Sequence, residues 1–169
     1  KKCMKKNYKP FIRLAAAGLL ITISFFSFGA QFPVTNTNNN GAGSLTDAIN
    51  QANANPGPDT VTFSLPEGGS MTIAPTLPFP AITDTLFING SSQPGADLGT
   101  IAGRTIRVNI DGVGLPITND IFIVSSNNVQ IAGLAIYRAP NFSSGIRIDL
   151  AINDVFIWGN YIGTDSTGL

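Results

Sequence analysis

The sequence contains no histidine, one cysteine and one tryptophan, and charged residues fill only 12% of its 169 positions. Without histidine there is no imidazole general base, no Ser-His-Asp triad and no histidine metal ligand. The lone cysteine, Cys3, lies near the start. From about residue 31 onward the chain has neither cysteine nor lysine. That stretch therefore offers no thiol nucleophile, no cysteine-ligated zinc and no disulfide. The scarcity of basic residues speaks against nucleic acid as a partner. No Gly-rich phosphate-binding pattern occurs.

The charges that are present are segregated. Lys1, Lys2, Lys5, Lys6, Lys9 and Arg13 supply six of the ten cations, and the first acid is Asp47. The formal total of zero thus sums a basic leader and an acidic remainder, in which four arginines face ten acids for a charge of −6. Behind the basic residues comes the apolar run Leu14–Phe28. A cationic start, a short apolar run and then small residues make a secretory signal peptide over residues 1–30. A membrane span needs about 20 apolar residues, and no later run approaches that length. Ser27-Phe28-Gly29 fits the small-x-small rule for a cut after Gly29; a cut after Ala30 places Phe28 at the unfavourable third position. Cys3 precedes the apolar run, so it is not a lipid-modified first mature residue. Met4-Lys5-Lys6 reads as a natural start, with residues 1–3 as upstream read-through.

Residues 31–56 read as a short strand, Gln31–Thr35, a turn-rich loop, Asn36–Gly43, and one helix. Ser44 is placed to cap that helix, with Asp47 in its first turn. Leu45, Ala48, Ile49 and Ala52 make an apolar face, and Asn55-Pro56-Gly57-Pro58 ends it. Residues 57–169 read as short strands: Val61, Phe63 and Leu65; Met71 and Ile73; Leu86 and Ile88; Ile106, Val108 and Ile110; Phe122 and Val124; Val129 and Ile131; Ile146, Ile148 and Leu150; Val155 and Ile157.

An internal repeat organises this region. NNVQIAGLAI, residues 127–136, and NDVFIWGNYI, residues 153–162, share five of ten positions at an offset of 26. The same offset pairs Phe122 with Ile148 and Val124 with Leu150. A weaker echo aligns Leu86–Gly90 with Val129–Gly133. Asn127 is expected to stack on Asn153, and Asn128 on Asp154, at a turn. A repeat of short strands with no intervening helix predicts an all-β fold, a right-handed parallel β-helix (solenoid) with an N-terminal amphipathic capping helix. An antiparallel sandwich also gives short, evenly spaced strands, but requires no residue-for-residue echo.

The segment GAGSLTDAINQANANPGPDTVTFSLP (Gly41–Pro66) resembles the N-terminal part of secreted right-handed parallel β-helix repeat proteins of the pectate-lyase-like superfamily. Ile88–Ala96, Asn109–Gly112 and Gly159–Gly168 are similar to later pieces of such proteins. The resemblance spans roughly residues 34–169. It implies a secreted or cell-surface location and an N-terminal fragment of a longer polypeptide, whose downstream coils would continue the stack.

Some members of that superfamily cleave acidic polysaccharides with carboxylates and basic residues on outward positions. Arg107 and Asp111 on one strand and Arg147 and Asp149 on another are the matching candidates, and they form a mixed-charge patch if the strands stack. Salt-bridged, solvated charge is the plainer reading of all four. Asp84, Asp120 and Asp154 read as turn residues, and Asp165 lacks the spacing of a calcium loop. Calcium is conceivable but not indicated, and no cofactor is expected. Trp158, which stands where the preceding repeat has Ala132, is a candidate for stacking on a sugar ring. The expected function is a non-catalytic extracellular scaffold, adhesive or glycan-binding surface, with extracellular polysaccharide or a cell-surface glycan as partner. The alternative is the front end of a polysaccharide lyase or glycoside hydrolase.

Overall fold

A computed structural model of the protein describes residues 29–67, 71–100 and 103–168. The expected leader, apart from Gly29 and Ala30, lies outside the described residues. β1 (Gln31–Val34) is followed by α1 (Leu45–Ala54) and β2 (Asp59–Phe63). Then come β3 (Thr72–Ile73), β4 (Leu86–Asn89), β5 (Val108–Asp111), β6 (Phe122–Val124), β7 (Gln130–Ala132), β8 (Leu134–Tyr137), β9 (Ile146–Ile148), β10 (Phe156–Trp158) and β11 (Tyr161–Ile162).

These strands build three separate sheets. The first has the order β1-β2-β4-β7-β10, the second β11-β8-β5-β3, and the third holds β6 and β9. Every strand pairing is parallel. From β7 onward each strand pairs with the one three strands earlier in the chain.

The architecture corrects the all-β β-helix expectation, because it is mixed. Separate parallel sheets are joined to a helix that is built into the core. β1, α1 and β2 form a parallel strand-helix-strand crossover, which an all-β reading does not contain. Leu45, Ala48, Ile49 and Ala52 of α1 are buried in the same core as the strands. The connection from β4 to β5 is irregular as well, with a 3-10 turn at Gly90–Ser92 and an isolated antiparallel bridge between Asp97 and Thr105.

The helix itself forms where its pattern places it. Ser44 Oγ accepts from the Asp47 amide at 3.1 Å, and the Asp47 carboxylate accepts from the Gly43 amide at 3.2 Å. Both satisfy N–H groups that the first turn leaves free.

Alternation sets the two faces of the first sheet. Phe32, Val61, Ile88, Ile131 and Ile157 lie in one inward row, strand by strand. Ile73, Ile110, Ile136 and Ile162 make a comparable row in the second sheet. Burial is complete in the middle of these rows and falls at β10 and β11, where Ile157 is 38% and Ile162 57% exposed.

The third sheet corrects the uniform 26-residue register. Phe122 pairs with Ile146 and Val124 with Ile148, a shift of two from the expected partners. The loop after β9 is two residues longer than the loop after β6, and the surplus bulges outward. Ala151 takes a left-handed φ of 64°, and Leu150 is 98% exposed. Beyond that bulge the offset is 26 again, with Ile131 against Ile157.

Candidate functional site

Two constellations contain the residues singled out in the sequence. The first is charged, and the structure divides it. Arg107 immediately precedes β5 and donates from Nε to the Gly95 carbonyl at 3.2 Å. Asp111 ends β5, which pairs with β3 and β8. Arg147 and Asp149 belong to β9 and the loop after it, and β9 pairs with β6. The two strands therefore lie in different sheets, and the four residues do not form one patch.

Asp111 is buried, and its carboxylate has a structural task. It caps the 3-10 turn Gly112–Gly114 through the Val113 amide at 3.1 Å. It also takes Nε of Arg138 at 2.8 Å and pairs with a second guanidinium nitrogen of the same residue. That hydrogen bond holds the Arg138 guanidinium above its usual pKa. The sign is favourable at every pH below the ordinary arginine value, so the arginine adds no pH dependence near neutrality. Arg138 also lies 5.3 Å from the Tyr137 ring centroid.

Arg147 bridges two acids. Its Nε donates to Asp120 at 2.7 Å, and Nη1 pairs with Asp149. Asp120 takes the Ser144 amide at 2.7 Å, and Asp149 takes the Ser125 hydroxyl at 2.5 Å. These groups tie β6 to β9 and the loops beside them. Asp154, with φ 58°, is a left-handed turn residue. Among the described residues no three His, Cys, Asp or Glu side chains gather to hold a metal ion.

The second constellation is aromatic and lies on the outward face of the first sheet. Phe87, Gln130 and Phe156 share one outward row, and Asn89, Ala132 and Trp158 share the next. Trp158 stacks on Phe87, with ring centroids 6.4 Å apart and planes 25° from parallel. The small side chain of Ala132, between their strands, leaves room for the indole to lie back across the sheet. Trp158 is 47% and Phe156 56% exposed. Trp158 was legible as the large residue at a repeat position occupied by Ala132. Phe87, its stacking partner, was not singled out, because the strand order that sets β4 two strands from β10 is not written in the local sequence.

A third feature was missed. Residues 37–40 with Thr46, Thr72, Ala74, Thr76, Leu77 and Pro78 line an open groove of about 650 Å³ that contains no charged side chain. Asn39 holds it together, taking the Thr76 amide at 3.2 Å and donating to the Thr76 hydroxyl at 3.1 Å. In the sequence this Asn-rich stretch reads only as a turn.

Comparison with models of known protein families finds no match, and comparison with curated proteins finds no match either. Among the described residues no helix is long and apolar enough to cross a membrane.

Proposed function

We propose that this protein is an exported, non-catalytic glycan-binding module that presents the outward face of its five-stranded sheet. The observation that carries the reading is the stacked, solvent-facing pair Phe87–Trp158. A regular sheet holds the two rings nearly parallel, and a flat apolar ring surface suits the C–H face of a pyranose, whose hydroxyls stay in water. Gln130, exposed between the Phe87 and Phe156 strands, adds an amide beside the rings.

The charge pattern narrows the ligand. From residue 31 the chain carries −6, and the Arg138 and Arg147 side chains are engaged by acids. Such a surface repels uronate polymers and favours a neutral polysaccharide. The lyase or hydrolase alternative needs a poised acid or base, yet the carboxylates of Asp111, Asp120 and Asp149 are occupied by arginines and capping bonds.

Trp158 is the only tryptophan, so its fluorescence reports on the site without a label. Titration with neutral oligosaccharides is expected to shift or quench the emission saturably. Unchanged emission with every neutral glycan tried, or release of unsaturated uronates from pectin-like polymers, would contradict the reading.

A further inference from the structure

Asp59 is a buried carboxylate without a cation. It opens β2 and is 2% exposed. Oδ1 accepts from the Ala30 backbone nitrogen at 2.8 Å and from the Asn55 side-chain amide at 2.9 Å. Oδ2 is buried with no hydrogen-bond partner. No arginine among the described residues pairs with Asp59. The neighbouring elements do not neutralise it: β1 and β4 carry no titratable side chain, and α1 carries only Asp47, at its far end. Asp84, just before β4, adds a second negative charge; it accepts from the Gly57 and Thr85 amides. An unpaired charge in such a place is costly, and a neutral amide donor offsets only part of that cost.

The nitrogen facing Asp59 belongs to the residue that follows the Ser27-Phe28-Gly29 processing signal. We infer that a peptidase cuts the Gly29–Ala30 bond and that the new α-ammonium of Ala30 is the counter-ion of Asp59. The cut is a hydrolysis. Water adds across the peptide bond, Gly29 leaves as a carboxylate on the leader, and the Ala30 nitrogen becomes a protonated amine. The same atom that donates one amide hydrogen to Oδ1 then brings three hydrogens and a full charge.

Two further observations fit. Ala30 is already held in place, because its carbonyl accepts from the Thr60 amide at 2.9 Å. A Cβ on Gly29 would lie 2.2 Å from the Pro58 carbonyl oxygen, so residue 29 has no room for a side chain while it stays attached. Once it is removed, that restriction vanishes.

The test exports the full precursor from a secreting host and determines the product's first residue by mass spectrometry. Ala30 is expected. A product beginning at Gln31, or one retaining Gly29, overturns the inference. In the exported product the amine is then titrated by NMR. Pairing raises its pKa above the ordinary value of about 7.7–8.0, and a value at or below that range overturns the inference. The pair's stabilisation is complete below the ordinary value and is lost as pH rises through the raised one. Asp59→Asn should return the amine to the ordinary value and remove that alkaline loss. Gly29→Ala in the precursor leaves a small residue at the cut, so the product should melt as wild type; a lowered melting temperature shows that residue 29 is retained and overturns the inference.

Discussion

At the residue scale, the chain relies on side chains of defined shape at turns. Gly133, between β7 and β8, has φ +73°, and a Cβ there would lie 2.6 Å from the Ser91 amide nitrogen. Gly90 in the layer beside it is as confined, since its Cβ would meet the Gly133 carbonyl oxygen at 2.3 Å. Gly133→Ala is therefore expected to cost about 1–3 kcal/mol from backbone strain, with the steric clash adding to it. Urea denaturation measures this, and an unchanged midpoint would show that the turn relaxes freely. The turn asparagines were legible in the sequence. Asn127 takes the Asn153 amide at 2.7 Å, and Asn128 and Asp154 share left-handed φ values of 57° and 58°. Stacking of like residues followed directly from the repeat. The partners of the charged residues did not, because Asp111 meets Arg138 across the Val108–Asp111 and Leu134–Tyr137 strands, and neither local sequence names the other.

At the element scale, α1 shows how far local signals reach. Its cap, its buried face and its stop lie within a dozen residues, and each is realised. Ser44→Ala removes the acceptor for the Asp47 amide and should destabilise the protein by about 1 kcal/mol, with Ser44→Asp restoring most of it. Thermal unfolding of the two variants reads the difference; equal losses would show that the serine acts by packing alone. The strand register was legible only in part. The match of Leu86–Gly90 with Val129–Gly133 is realised as the pairing of Phe87 with Gln130 and Ile88 with Ile131. The pairing of β6 with β9 is two residues away from the repeat's offset, because loop residues can bulge without disturbing a ladder on either side. Periodicity records inward and outward positions, whereas loop length sets which positions meet.

At the scale of the whole molecule, the core is graded along the strand rows. Ile131 is fully buried between Ile88 and Ile157, while Ile157 has a neighbouring strand on one side only among the described residues. Ile131→Ala should cost about 2–5 kcal/mol through lost contacts and a cavity. Ile157→Ala should cost less than half as much. Similar losses at both positions in denaturant unfolding would contradict this gradient. The mixed architecture also lay beyond the sequence reading. The helix was visible, but its place in a crossover between paired strands depends on β1 and β2 meeting side by side, 29 residues apart. The same long-range order brings Phe87 to Trp158 and creates the aromatic surface.

That surface is the centre of the functional account, and affinity for immobilised neutral polysaccharide tests it most directly. Wild-type protein, Trp158→Ala and Arg147→Ala would be compared by retardation in gels containing the glycan. The account predicts that Trp158→Ala weakens binding about tenfold, the order expected when a stacking ring and its buried area are lost. Arg147→Ala should bind as wild type. Binding that survives Trp158→Ala but fails in Arg147→Ala would contradict the account and move the site to the charged cluster.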